Sequence, residues 1–253
     1  MNSTTKKVQW SIEVGCLANR TYVNQTCSAM SNVYVGDGNY SAAYPNMSTS
    51  DSYTLYTTEN NNYNIAGLWF GTPDSMTEFG YSGSSLECDI ATNFRGLGLP
   101  WYEWNQFVSL LHKISASVSQ GLECSENSCM LPQSCESYPE LWSFQFTTRF
   151  DIATDTYFNV PFAAFSVTGT DQCEIFVQPL IADNYQLAEN AVFGSMWLSN
   201  FVAYFEYDFS GISNTDSLML FVSEYAVNGT SISKVAPVNG TTSFSYTVES
   251  QII

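Results

Sequence analysis

Nine short runs of β-branched and aromatic residues recur along the chain: VQWSIEV, NVYVG, SYTLYTT, YNIAGLWFG, LWSFQFTT, CEIFVQPL, FVAYFEYDF, SLMLFVSEYAV and TSFSYTV. Asn, Gly, Ser and Asp separate them. Runs of this length and composition between turn-forming residues read as β-strands. A single segment has a clear helical period. In PWYEWNQFVSLLHKIS, starting at Pro100, Trp104, Phe107, Val108, Leu111 and Ile114 follow i, i+3, i+4, i+7 spacing, and Pro100 suits a helix start. A second short helix is expected over Ser195–Asn200. There is no fixed-period repeat and no charged linker. Region 31–65 is rich in Asn, Tyr and Ser but alternates with apolar residues, as hairpins do. The expected architecture is all-β, with antiparallel sheets packed on each other and one or two short helices outside.

The chain has 253 residues, enough for a substantial core. Seven basic against 24 acidic residues give a net charge of −17, with no basic run. Such a surface repels nucleic acid and anionic membranes. No apolar stretch approaches the roughly 20 residues that span a bilayer. Only 12% of residues are charged, about half the usual share, so surface polarity must come from Ser, Thr, Asn and Tyr or from attached sugar. Seven Asn-x-Ser/Thr sequons stand at Asn2, Asn19, Asn24, Asn39, Asn46, Asn228 and Asn239. They imply an extracellular, N-glycosylated protein. The first residues, MNSTTKKVQW, have no signal-peptide apolar core, so a chain processed from a longer precursor is expected.

Seven cysteines agree with an oxidising compartment. Their spacing suggests Cys16 with Cys27 and Cys124 with Cys129, while Cys135 with Cys173 would close a longer loop. Cys88 is then unpaired, either buried and inert or bonded to another chain. His112 is the only histidine, which leaves no zinc-type cluster, and no metal or other cofactor is expected.

Several of these segments, in order, resemble the pepsin-like aspartic proteases, mainly their C-terminal lobe. SYTLYTTENNNYNIAGLWFG is similar to the strand pair leading into that lobe. CDIATNFRGLGLP, Cys88 to Pro100, resembles the strand and catalytic loop I-x-D-(S/T)-G-(S/T)-(S/T)-x-x-x-L-P. The helix after Pro100 fits the one that follows this loop. SCESYPELWSFQFTTRFDIATDTYFNVPFAAFSV and DQCEIFVQPL resemble the segments carrying the lobe's disulfide, here Cys135 and Cys173. AVFGSMWLSNFVAYFEYD resembles the closing strand–helix–strand. SNVYVGDGNYSAAYP is similar to the turn ending the first lobe. The resemblance covers roughly residues 8 to 225. It implies an all-β, antiparallel pepsin-like lobe over 61–227, preceded by the glycan-rich end of a first lobe at 1–60 and followed by a strand extension at 228–253. Most of the first lobe would be missing.

Pepsin-like catalysis shares one proton between two carboxylates about 3 Å apart. Here Ala91, Thr92 and Asn93 occupy the Asp-(Ser/Thr)-Gly positions. Asp89 is two residues earlier, displaced by roughly 6–7 Å along a strand. No Asp-Thr-Gly or Asp-Ser-Gly occurs anywhere in the sequence, so even a homodimer would lack the pair. GTPDSMTEFGYSGSS has no aspartate before its Ser-Gly, and GLGL lacks a phosphate-loop pattern. There is no Gly-x-Ser-x-Gly elbow to go with His112. Glu123/Glu126 and Glu206/Asp208 read as solvated residues rather than glycosidase acids.

The expected function is therefore binding or assembly by an inactive pepsin-like protein, through self-association or a protein partner. A structural subunit of an extracellular array or filament fits best, with VQWSIEV and TSFSYTVESQII either extending a neighbour's sheet or completing the domain's own. Two alternatives remain open. One is a ligand or enzyme-inhibitor module using the former substrate cleft, with Trp69, Trp101, Trp104 and Trp142 suited to stacking on sugar. The other is one chain of a two-chain aspartic protease.

Overall fold

A computed structural model of the chain describes residues 7–13, 32–35, 53–56, 62–79, 86–150, 155–168, 171–180, 190–208, 216–223 and 226–240. The fold is all-β: four sheets and three short α-helices among the described residues.

One five-stranded antiparallel sheet has the order β2-β1-β17-β18-β3, formed by Asn32–Val35, Lys7–Glu13, Phe201–Asp208, Ser217–Val222 and Tyr53–Tyr56. It joins the first sixty residues to the chain's last third. β1 pairs with β17 over seven residues and with β2 over four. Among the described residues, VQWSIEV thus lies inside the protein's own sheet, paired on one side with β17 and, over Trp10–Glu13, on the other with β2. Trp10 stacks on Phe205 across this pairing at 4.1 Å between ring centroids.

A second five-stranded antiparallel sheet runs β19-β12-β11-β5-β6, from Ser231–Ser233, Tyr157–Pro161, Gln145–Arg149, Gly67–Thr72 and Ser75–Glu78. A four-stranded sheet, β13-β14-β10-β9, is formed by Ser166–Thr168, Cys173–Ile175, Cys129–Leu131 and Glu123–Cys124. The fourth sheet, β15-β8-β16-β7-β4, uses Val177–Leu180, Leu97–Pro100, Asn190–Phe193, Leu86–Ile90 and Tyr63–Ile65. It departs from the antiparallel expectation. β16 runs parallel to β7, and β15 parallel to β8.

The helices are α1 (Trp101–Ile114), α2 (Ala116–Gly121) and α3 (Ser195–Leu198), where one or two were expected. α1 follows its apolar stripe, burying Trp104, Phe107 and Leu111. α2 has no such stripe and escapes a periodicity search. It is set by its cap: the Ser115 hydroxyl accepts a hydrogen bond from the Val118 N–H.

Two runs that look like single strands are divided between sheets. YNIAGLWFG breaks at Ala66, whose N–H donates to the Arg149 carbonyl, so β4 and β5 part company. CEIFVQPL breaks at Phe176, whose N–H donates to the Phe165 carbonyl. LWSFQFTT begins as a 3-10 turn over Pro139–Ser143, because Pro139 opens it and its strand starts only at Gln145.

Phenylalanine dominates the core. Phe70 meets Phe107, Phe146 and Phe162 at centroid distances of 5.2, 4.8 and 5.3 Å. Trp197 of α3 is buried against Phe150, Phe193 and Phe201. The structure joins Cys124 to Cys129 and Cys135 to Cys173, and leaves Cys88 free and wholly buried. Cys16 and Cys27 lie outside the described residues. The Cys135–Cys173 bridge closes a loop of 38 residues, so replacing both by Ala should cost about 4 kcal/mol in a urea unfolding titration. A loss below about 1 kcal/mol would show that the core holds this loop unaided.

Candidate functional site

The turn from Ala91 to Gly96 owes its shape to an insertion. β7 and β8 are neighbours in sequence but do not pair with each other. β16 lies between them, parallel to one and antiparallel to the other. The turn therefore has to bridge a strand, and it does so over the start of α3.

Backbone hydrogen bonds fix this crossing. Ala91 N–H donates to Phe193 O at 3.0 Å, and Gly194 N–H to Gly96 O at 2.9 Å. Ser195 N–H donates to Phe94 O at 2.7 Å, and Met196 N–H to Arg95 O at 2.8 Å. The first N–H groups of a helix have no partner within it. Here the carbonyls of the turn supply those partners. The Ser195 hydroxyl adds a bond to Arg95 O. Two glycines permit the close approach. A Cβ on Gly194 would meet the carbonyls of Phe94 and Gly96, and one on Gly96 would meet the carbonyl of Phe176. The Arg95 guanidinium lies 3.8 Å from the Phe176 ring centre, a cation–π contact that pins the outer limb of the turn.

At the tip, Ala91 is half-buried, and Thr92 and Asn93 are exposed. None of the three brings a carboxylate. Asp89, on β7, lines a separate cleft with Tyr63 and Asp216. The amides and carbonyls that cross at the turn are thus bonded to one another. Gly194→Ala should destabilise the fold by about 3 kcal/mol or more, read as a lowered urea midpoint. An unchanged midpoint would mean that the crossing yields at low cost.

Other residues singled out by sequence are scattered. His112 is exposed on α1, its Nδ1 3.5 Å from the Ser119 hydroxyl. Glu123 and Glu126 are exposed beside the Cys124–Cys129 hairpin. Glu206 is half-buried on β17, and the side chain of Asp208 lies outside the described residues. Trp69 and Trp104 are buried and Trp142 is half-buried, so of the four tryptophans only Trp101, stacked on Trp104, is exposed. Asn228 and Asn239 are exposed, as sugar acceptors must be, while Asn2, Asn19, Asn24, Asn39 and Asn46 lie outside the described residues. Burial, reinforced by Asp89 and Glu87, holds the Cys88 thiol well above its ordinary range, so it stays protonated and unreactive. Among the described residues no group of three or more His, Cys, Asp or Glu is placed to hold a metal ion, and no helix is long and apolar enough to cross a membrane.

Sequence reasoning missed Glu103. It stands in the first turn of α1, where an acidic residue normally stays ionised, yet it is 2% exposed and its Oε2 has no hydrogen-bond partner. Burial pushes its carboxyl up to about 7, against a smaller lowering by a hydrogen bond from its own N–H. The folded state thus keeps a proton that the unfolded chain releases near 4.5. This group's contribution to stability is best below that value and falls as pH rises to about 7. Glu103→Gln should flatten that slope and raise stability at higher pH by about 2 kcal/mol. A slope identical to that of the wild type would contradict this placement.

No protein-family model matches this chain, and no curated protein sequence matches it.

Proposed function

We propose that this chain is a secreted, N-glycosylated, catalytically inert pepsin-like protein that works by binding or assembly, as a structural subunit of an extracellular array or filament. The observation that carries the reading is the state of the turn. Its backbone is held by five hydrogen bonds from Ala91, Gly194, Ser195 and Met196, but its tip presents Ala91, Thr92 and Asn93. A dyad needs two carboxylates in contact, and this turn brings none.

Further observations support the family resemblance. The segment resembling the catalytic loop and the segment resembling the closing strand–helix–strand lie a hundred residues apart in sequence, as Arg95 and Ser195 do. They interlock through backbone hydrogen bonds, a juxtaposition that chance likeness of two separate stretches does not require. Two disulfides and the exposed Asn228 and Asn239 support an oxidising, extracellular setting. Assembly is supported by the ends of the first sheet. Among the described residues it terminates at β2 and β3, which expose Val33 and Tyr56, the kind of edge that recruits another strand.

Two measurements on the purified glycoprotein test this. Light scattering at micromolar concentration should give at least twice the monomer mass, and a strict monomer would refute assembly. Peptide cleavage sensitive to pepstatin should be absent in the wild type. It should also be absent in Ala91→Asp, which restores one carboxylate without a partner. Such cleavage by the wild-type chain alone would refute the inert site.

A further inference from the structure

The sheet β19-β12-β11-β5-β6 ends at β19 on one side and at β6 on the other, and a sequon stands at each end. Asn228-Gly229-Thr230 leads directly into β19, which starts at Ser231. Asn239-Gly240-Thr241 begins along the outside of β6. There Met76 N–H donates to Val238 O at 2.8 Å, and Gly240 N–H donates to Met76 O at 2.6 Å. Asn239 is thus paired in parallel with Met76, while the bonds come from the residues on either side of it. Its own N–H and C=O turn the other way, toward the outside of the sheet.

Both asparagines are exposed on firmly held backbone. The turn at Asn228 closes with a bond from Thr230 N–H to Val227 O at 2.9 Å, and Gly229 takes a φ of 97° within it, which glycine adopts without strain. Asn200, wholly buried, grips both limbs of this turn. Its Oδ1 accepts from Val227 N–H at 3.0 Å and from the Thr230 hydroxyl at 3.2 Å. At the other end the surface around Asn239 is apolar: Val235 is 77% and Val238 57% exposed. An open sheet edge beside exposed apolar side chains is a template for another strand. β19 is only three residues long, about 10 Å, so a bulky group at its start covers most of that edge.

We propose that N-linked glycans on Asn228 and Asn239 close both edges of this sheet to strand addition, the one on Asn239 also screening Val235 and Val238. A neighbouring strand has to come within about 4.8 Å. An Asn-linked sugar is bulkier than that gap and carries its own water. This role rests on the N-glycosylated chain proposed above, and it adds which sheet that chain's partners are kept from. It does not depend on the state of the turn at Ala91.

Peptide mapping of the native glycoprotein by mass spectrometry should find sugar on both Asn228 and Asn239. The double variant Asn228→Gln, Asn239→Gln, made in the same secreting cells, should keep the fold, which circular dichroism checks. At equal micromolar concentration it should grow about fivefold in light-scattering mass and gain an intermolecular β-sheet band in the infrared. Thr241→Ala, which removes the second sequon and keeps Asn239, should give part of that growth. Adding Val238→Lys to the double variant should reverse it, because a charge on an edge deters pairing. Sugar elsewhere on the chain but missing from Asn228 or Asn239 overturns the capping alone. A chain with no sugar anywhere overturns the glycosylated reading as well. Sugar on both with an unchanged mass in the double variant, growth without the β-sheet band, or growth that Val238→Lys leaves intact also overturns the capping. A monomeric wild type refutes assembly, while growth of the double variant from that monomer still supports closed edges.

Discussion

The architecture turns on one strand inserted between two others. Because Asn190–Phe193 separates Leu86–Ile90 from Leu97–Pro100, the connection between these two cannot be a hairpin. It must cross, and crossing brings its carbonyls over the unpaired N–H groups that begin α3. Each side thereby satisfies polar groups that would be costly to bury alone. The tight approach leaves no space for a Cβ at Gly96 or Gly194. Trp197, in the single turn of α3, then anchors the crossing to the phenylalanine core.

A crossing of this kind is structural before it is chemical. It positions whatever side chain stands at its tip with great constancy, whether or not that side chain reacts. In this chain the scaffold has all its backbone bonds and the tip is an alanine. The frame is complete without any acidic group at its tip. Acidic groups stand elsewhere in the fold. Asp89 and Asp216 face a cleft between sheets, and Glu103 is enclosed in the first turn of α1.

Much of this was legible in the sequence. The strands at Lys7–Glu13, Phe201–Asp208 and Ser217–Val222 and the helix from Trp101 follow alternation or helical period directly. Short strands such as Ser75–Glu78, Glu123–Cys124 and Ser231–Ser233 are not hydrophobic runs at all. They exist because a neighbour offers backbone partners, so propensity cannot reveal them. The breaks at Ala66 and Phe176 are tertiary too, since each residue donates to a carbonyl far away in sequence. That Ala91, Thr92 and Asn93 bring no carboxylate to the turn was readable by inspection. The cleft around Tyr63 was not, because its lining comes from four strands whose meeting no local pattern encodes.

The pairing of Lys7–Glu13 with Phe201–Asp208 spans some two hundred residues of chain. A ribosome releases the first strand long before the second exists. Until residues 201–208 have emerged, Trp10 and its neighbours lack their partner strand, and loop closure over that distance is slow. Completion of this sheet therefore waits on residues 201–208, and a nascent chain halted short of residue 201 would be left with a sticky strand at Lys7–Glu13 for chaperones to shield.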